Sequence, residues 1–522
     1  MSLIKKLKIA IVGICLASAV DLEARLFARD IYVPRDYTTI QEGIDVASDG
    51  DRVLVASGEY IIHEPITYRG KNIILKSEEG ADETIIKMEN PANGDRGSVF
   101  IFENGESNEA VLEGFTLTGG NGTFPTHIYD RNGGSIYCER SSPTILNNNI
   151  INNTSIEGGG ISCLQASPLI QGNKILKNRA LSEGGGIFCY DNSQPTILEN
   201  IISENYVKGM SGGGIASFYN SLAIIKDNII INNYANEIGG GICLRDSEAL
   251  IEKNIIANNK TLESGGGIAS TYSVIYVFRN TITSNLTDWG GSPEYSGGGI
   301  YFYHENEPRF HEGYMRLFNN IIWNNIGIRE VADTGPSEIF YNNLSQPEFC
   351  GINGNICADP LFVNPNPDSK TLDDLLESGN YEGAKRYLTE AYSLQPDSPC
   401  IDVVDPDELI GVDINFDPDG SWADMGAIYF NHKKNRFKRG DSNMDGRVEI
   451  SDPVTTLSHL YRGLELKCKD SADSNDDGNI NIADAVYTLN YLFARGNMPP
   501  APFSEAGYDF SHDNIGCYVP EL

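Results

Sequence analysis

The sequence predicts a mainly β protein, a parallel β-helix (solenoid), with a small helical module behind it. Two marks running in phase carry the prediction. A Gly-Gly-Gly-Ile mark, Gly-Gly-Ser-Ile in its first copy, begins at Gly133, Gly158, Gly184, Gly212, Gly239, Gly265 and Gly297, at steps of 25, 26, 28, 27, 26 and 32 residues. An N-x-x-x-x-N unit accompanies it from Asn148, Asn173, Asn200, Asn228, Asn254, Asn280 and Asn320, each with an Ile two residues on: Ile150, Ile175, Ile202, Ile230, Ile256, Ile282 and Ile322. A fixed period in this range is the signature of stacked repeats. The apolar runs between the marks are short, β-branched and bounded by Gly, Asn and Ser, so the repeats are strands rather than helices.

Each coil of about 26 residues then holds about three short strands and three turns, stacked at the inter-strand spacing of about 4.8 Å. The Ile ladders fill the interior. Asn at the turns adopts the left-handed conformation and bonds the coils above and below. Cys138, Cys163 and Cys189 lie two residues after their Ile and form an interior ladder continued by Ser217, Leu244, Ser270 and Phe302; buried packing is the ordinary use of a free Cys.

In chain order, residues 1–19 come first. Lys5, Lys6 and Lys8 precede the apolar run Ile9 to Leu16 and the small-residue site Ala17-Ser18-Ala19, the pattern of a secretory signal. The protein is therefore expected to be secreted or at the cell surface, and no later stretch has the length of a membrane span. With 39 Lys+Arg against 72 Asp+Glu, the net charge is −33. That balance argues against nucleic acid and anionic membrane as partners. Of ten Cys, Cys15 leaves with the signal. Cys350, Cys357, Cys400, Cys468 and Cys517 are the candidates for bridges, with the pairing open. Residues 31–60 form the N-terminal cap, with an amphipathic helix across Val33 to Ala47 and a first strand across Gly50 to Tyr60. The regular coils run over about 130–330, and the solenoid closes by 430 around a helix-like insertion at about 370–392.

Residues 437–496 carry two loops of the form D-x-N-x-D-G-x-x-x-x-x-D, 32 residues apart. Side-chain oxygens at positions 1, 3, 5 and 12 with a carbonyl at 7 suit the coordination of Ca2+, and Gly at 6 makes the sharp turn. The ligands are Asp441, Asn443, Asp445, Arg447 through its carbonyl, and Asp452; then Asp473, Asn475, Asp477, Asn479 through its carbonyl, and Asp484. Short helices follow each loop, at Val454 to Leu460 and Val486 to Phe493. A weaker acidic cluster is Asp413, Asn415, Asp417 and Asp419. Residues 497–522 form a Cys-containing tail.

Candidate chemistry falls in three places. Residues just before the first Asn of each unit include Lys226, Asp227, Lys253 and Arg279, the candidate catalytic set. There a cation or base neutralises a uronate carboxylate and a Lys or Arg takes the neighbouring proton; the competing reading is cross-coil ion pairing on a solvated face. The loop after Leu286 carries Trp289 and Tyr295, aromatic residues suited to stacking on sugar rings. The segment before each Gly triplet carries Asp130, Glu157, Glu183, Glu237, Glu263 and Glu294, where stacked carboxylates repel unless splayed, solvated or bridged by a cation.

The GGGI, SPTI and N-x-I-x-x-N pattern resembles the right-handed parallel β-helix proteins of the pectin-lyase-like superfamily over about residues 31–430. The cap from Val33 to Tyr60 and the closing segments Ala358 to Val363, Ser398 to Asp402 and Ala423 to Ala427 share in it. The tandem loops resemble the type I dockerin module. Ile450-Ser451 and Ile482-Ala483 depart from the Ser/Thr pairs that dockerins carry where they join cohesins. The resemblance implies a secreted polysaccharide-associated protein, a lyase or hydrolase on acidic glycans, attached through a calcium-binding module to a cohesin-like or cell-surface partner. The alternative is a non-catalytic surface or adhesion protein with the same architecture.

Overall fold

The computed structural model describes residues 28–125, 130–288, 296–304, 313–403, 417–418, 421–431 and 437–507. The signal segment, Trp289, Tyr295, Glu294, Asp413, Asn415, Asp419 and Cys517 lie outside these. The chain forms two compact units, one of Met1–Ala358 with Asp368–Leu388 and one of Asp359–Pro367 with Thr389–Leu522.

The first unit is a parallel β-helix. Its coils lay down four strands, not three, and the described strands stack into sheets of 12, 11, 10 and 6 members. One representative coil runs Ile215–Phe218 in sheet 3, Leu222–Lys226 in sheet 1, Ile229–Ile231 in sheet 2 and Tyr234–Ala235 in sheet 4. Sheet 4 escapes the repeat pattern because most of its strands hold two residues with one inward side chain each: Val207, Ala235, Thr261 and Thr287.

The interior ladders stand in the expected register. Ile150, Ile175, Ile202, Ile230, Ile256, Ile282 and Ile322 pair coil to coil and are fully buried. The ladder Cys138, Cys163, Cys189, Ser217, Leu244, Ser270 and Phe302 is likewise in register and buried. Burial holds the Cys138 thiol well above the ordinary thiol range, and a hydrogen bond with Cys163, followed by burial, does the same for Cys189.

The Asn ladders are buried, and here the turn expectation is corrected. The left-handed residue is the one before each ladder Asn: Asn147, Gly172, Glu199, Asp227, Lys253, Arg279 and Asn319 have φ of +53° to +66°. The ladder Asn is thereby freed to turn its amide inward. Asn228 Nδ2 donates to Asn254 Oδ1, one coil on, at 3.0 Å and to the Ile197 carbonyl, one coil back, at 2.9 Å. Its Oδ1 accepts from the backbone N–H of Asn200 at 2.9 Å. This repeats at each rung, so no buried amide is left unpaired along the ladder's interior. The second ladder ends on Glu330, whose carboxylate accepts from Asn325 Nδ2 at 2.6 Å.

At the start of the solenoid, helix α1 (Ile40–Val46) plugs the core with Ile40 and Ile44. It is shorter than the expected helix because Thr39 caps it, in a capping box with Glu42. The first strand is Asp30–Val33, ahead of the helix, and it pairs with Arg52–Val55. At the far end, Cys350 and Cys357 are disulfide-bonded. The insertion forms α2 (Ser369–Glu377) and α3 (Tyr381–Ala391); Lys174 Nζ lies 4.1 Å above the Tyr381 ring centroid.

In the second unit α4 (Ser451–Arg462) packs on α6 (Ile482–Phe493), with the short α5 (Lys469–Ala472) between them in sequence. Cys468 is disulfide-bonded. No described helix is long and apolar enough to cross a membrane.

Candidate functional site

The four candidate catalytic residues sit at one corner, between sheets 1 and 2. Lys226 and Glu252 end adjacent strands in register, and Lys226 Nζ lies 3.1 Å from Glu252 Oε2. Asp227, Lys253 and Arg279 follow at the left-handed position. Burial pushes the Asp227 carboxyl up, while Lys226 and Lys253 pull it down. Arg279 is buried in the turn, which corrects the expectation of an open patch. The corner is a cross-coil ion-paired turn, of the kind that adds little beyond local stability.

A different face gathers groups suited to chemistry: the outer side of sheet 3. The first glycine of each triplet turns the chain from sheet 4 into sheet 3 at φ of +61° to +72° from Gly133 to Gly265. A Cβ on Gly184 would meet the Ile187 carbonyl oxygen at 2.6 Å and Phe188 Cβ at 2.8 Å, so the connecting segment lies directly against the sheet. Only glycine allows both the turn and the approach. The residue before that glycine is held as a lip over the face. Two consecutive coils place Glu157 and Glu183 there, with Cα atoms in register.

Burial is the main force on both carboxyls. Glu157 is pushed up to about 7, with Glu183 and Asp130 adding to the effect and Asn132 opposing it by a hydrogen bond. Glu183 also rises to about 7; Arg245 opposes the shift, and Glu237 and Asp130 add to it. Arg245 Nη1 lies 3.4 Å from Glu183 Oε1, and its guanidinium stands 4.6 Å above the Phe218 ring. The sheet is aromatic here, with Phe188 and Phe218 fully buried beneath the lip and Tyr190 and Tyr219 reaching solvent. Phe188 and Phe218 meet edge to face at 5.6 Å, and Tyr190 and Tyr219 at 5.2 Å. Further along, Tyr272 meets Tyr303 at 5.6 Å. Cys243 is buried beside Arg245, its thiol pushed up to about 12.

Glu157 and Glu183 thus differ from the other raised carboxyls of this unit. Glu330 is equally raised, to about 7, but closes the Asn ladder through Asn325 and Ser345. The sequence names Glu157 and Glu183 without showing that they are neighbours, Glu157 half-buried and Glu183 buried. The signal available was Glu-Gly-Gly-Gly-Ile in two successive coils.

In the second unit the two loops are folded alike. Asp441 accepts from the backbone N–H of Asp445 and Gly446 at 3.1 and 2.7 Å, and Asp473 from Asp477 and Gly478 at 3.3 and 2.8 Å. Asn443 and Asn475 accept from Asp445 and Asp477. Asp445 and Asp477 accept from Arg447 and Asn479 at 3.0 Å each. Asp452 and Asp484 are fully buried, accept from Glu449 and Asn481, and are pushed up to about 6 and about 7, first by burial. Asp484 Oδ1 is buried without a hydrogen-bond partner. Among the described residues no three His, Cys, Asp or Glu side chains converge closely enough to form a metal centre by themselves. Asp417, from the weaker cluster, instead accepts from the backbone N–H of Asp424 at 2.9 Å.

A family model described as "Right handed beta helix region" matches residues 105–239. That match gives the hand of the coils. No curated protein matches the chain. Among solved structures, pectate lyase Pel9A is similar at 12% identity, covering 77% of this chain and 96% of its own, with a TM-score of 0.40. The periplasmic alginate epimerase AlgG is similar at 15% identity, covering 56% of this chain and 76% of its own, with a TM-score of 0.34. The A-module of Azotobacter vinelandii mannuronan C-5 epimerase AlgE4 stands at 13% identity, 59% and 94% coverage, and a TM-score of 0.30.

Proposed function

We propose that the protein is a secreted polysaccharide-acting β-helix whose chemistry lies on the outer face of sheet 3. The observation that carries this reading is the in-register pair Glu157 and Glu183, both raised to about 7, with the partly exposed Tyr190 and exposed Tyr219 on the same sheet. Two like charges this close do not both ionise readily, so near neutral pH the pair favours one proton between them. Arg245 favours charge on Glu183, which leaves Glu157 as the acid. Glu157 donates its proton to the glycosidic oxygen as the bond from that oxygen to the sugar carbon breaks. Glu183 takes a proton from the water whose oxygen forms the new bond to that carbon. The reaction needs water and no other co-reactant. A pair of carboxyls supports hydrolysis more directly than it supports elimination.

The test is release of reducing ends from a panel of polysaccharides by the mature chain. Glu157→Gln and Glu183→Gln are each expected to lower the rate by about 10²- to 10⁴-fold with folding retained. Wild-type rates in both variants would overturn the reading. Release of an unsaturated product, read by its absorbance, would assign a lyase instead.

The tandem loops supply attachment in this reading. Each would hold one Ca2+, at Asp441, Asn443, Asp445, the Arg447 carbonyl and Asp452, and at Asp473, Asn475, Asp477, the Asn479 carbonyl and Asp484. Asp452 and Asp484 are raised first by burial and then by the neighbouring carboxylates, and Asp484 Oδ1 lacks a hydrogen-bond partner, as suits loops built to hold a cation. The bound ion would neutralise them and fix the helices behind. Ile450 and Ile482, equivalent across the duplication, are 59% and 55% exposed, which favours a protein partner with an apolar patch over the Ser/Thr-read partner of cohesin-joining dockerins. Calcium titration of the full chain tests the loops. Pull-down with a cohesin tests the partner.

A further inference from the structure

Sheet 4 turns side chains outward at the same place in each coil, and four successive coils set Arg179, Tyr206, Tyr234 and Lys260 in register there. The two tyrosine rings lie nearly parallel, 7° apart with centroids at 5.1 Å, and the Arg179 guanidinium stands 6.0 Å from the Tyr206 centroid. Arg179 and Tyr206 are exposed, and Tyr234 and Lys260 are half-buried. Lys208, two residues after Tyr206 and so on the same face, is exposed as well. The chain has 72 acidic residues against 39 basic ones. Elsewhere on the solenoid Lys226, Arg245 and Arg316 are each held by a carboxylate at 3.1 to 3.4 Å. Among the described residues Arg179, Lys208 and Lys260 have no carboxylate within ion-pair distance, and the hydroxyls of Tyr206 and Tyr234 have no hydrogen-bond partner. Glu183, at the end of the strand that begins with Arg179, is buried and turned to Arg245 instead.

The ring stack decides what class of polymer fits. A nucleic acid needs open ring faces on which bases stack and a longer basic track. Here each tyrosine covers a face of the other, and Arg179 lies toward the remaining face of Tyr206. The row therefore offers solvent ring edges, phenol hydroxyls and cations. Phenols hydrogen-bond to sugar hydroxyls, and guanidinium and ammonium groups donate to carboxylate or sulfate, the stronger class of hydrogen bond. The row advances about 4.8 Å per coil, so its end cations stand about 14 Å apart, and a ligand that meets both carries charge repeatedly along its length.

We propose that the outer face of sheet 4 is a glycan-binding strip that holds a linear anionic polysaccharide along the solenoid axis. The strip is separate from the acid pair of sheet 3 and performs no chemistry. Arg179, Lys208 and Lys260 read the anionic groups, carboxylate or sulfate, and the hydroxyls of Tyr206 and Tyr234 read the sugars between them.

The test is calorimetric titration of the full chain with hexamers of galacturonate, sulfated galactose and glucose, and with a single-stranded oligodeoxynucleotide of six phosphates. At least one anionic hexamer is expected to bind about tenfold or more tightly than the glucose hexamer at low ionic strength, with the gap closing in about 0.5 M salt as screening sets in. Whichever of the two binds more tightly assigns the charge as carboxylate or sulfate. The double change Arg179→Gln with Lys260→Gln should abolish the gap and leave the melting temperature unchanged, because exposed cations add little to stability. Tyr206→Phe with Tyr234→Phe keeps the ring stack and removes only the hydroxyls, so it should weaken binding severalfold at an unchanged melting temperature. Equal binding of anionic and neutral hexamers overturns the inference, as does anionic binding that survives the double change at Arg179 and Lys260. Tighter binding of the oligonucleotide than of either anionic glycan overturns the glycan class. Binding is read without turnover, so failure of the acid pair as a catalyst leaves this result standing, and failure here leaves that pair untouched.

Discussion

Replacing Asn228 by Ala removes one rung of the buried amide ladder. Asn228 Nδ2 donates to Asn254 Oδ1, the Ile197 carbonyl and the Lys226 carbonyl at 3.0, 2.9 and 2.9 Å. Its Oδ1 accepts from Asn200 N and Asn200 Nδ2 at 2.9 and 3.0 Å. A buried hydrogen bond contributes about 1 kcal/mol net, and an orphaned buried partner costs about 1–3 kcal/mol, so losing all of these should destabilise by roughly 5 kcal/mol. That is a large share of the about 5–15 kcal/mol of a typical domain. Guanidinium unfolding followed by circular dichroism, with a thermal scan beside it, should show the loss as a lowered midpoint. Asn228→Asp keeps the two accepted bonds but sets a carboxylate against three acceptor oxygens, those of the Ile197 and Lys226 carbonyls and Asn254 Oδ1. It should be at least as damaging at pH 7 and partly relieved when the carboxylate is protonated. A loss below about 1 kcal/mol in Asn228→Ala would refute the reasoning, because water would then have replaced the ladder amide at no cost.

Three further outcomes follow from the same physics. Glu157 and Glu183 rise from 4.5 to about 7 on folding, so the folded chain keeps protons that the unfolded chain releases. Their stabilising contribution is full below pH 4.5 and lost as pH climbs to about 7, on the order of 1–3 kcal/mol each. Glu183→Gln should flatten this slope and raise the melting temperature at pH 7.5; an unchanged slope would show that the carboxyl is solvated. Ile230→Asp buries an unpaired charge at a position with no exposure and should abolish cooperative folding of the coils, read by urea unfolding. Calcium should raise the melting transition of the second unit, and a chelator or the double change Asp441→Ala with Asp473→Ala should lower it, because metal binding there is part of folding; identical calorimetric scans with calcium and with chelator would count against the loops as calcium sites.

The parts of the fold that the sequence shows are those locked to its period. Gly, Asn and Ile recur at fixed offsets, so strand register and interior faces could be read before any coordinates. Sheet 4 could not, because Tyr206-Val207 and Tyr234-Ala235 are too short to show alternation. The left-handed corners were assigned one residue late. Lys253 and Arg279 have little intrinsic taste for φ near +54°, and the stacked coil imposes it on them. Placing candidate catalysis at that corner followed from its mixed charge, which in three dimensions resolves into an ion pair and a buried arginine. Glu157 and Glu183 were visible as residues, but burial and mutual approach are properties of the stacked coil and leave no trace in a single line of sequence.

Because every regular coil sets down its strands in the same register as its neighbours, the solenoid is a modular ruler. Excising one complete repeat from a coil beyond Arg245, cut between equivalent ladder asparagines, would let Asn228 bond Asn280 as it now bonds Asn254. The axis would shorten by one strand spacing, about 4.8 Å. Glu157 and Glu183 would be untouched, while the outer face of sheet 3 would lose one step. Chain length in this protein is thus convertible into the length of a regular surface, and repeat number is a variable on which selection or an engineer acts without redesigning the core.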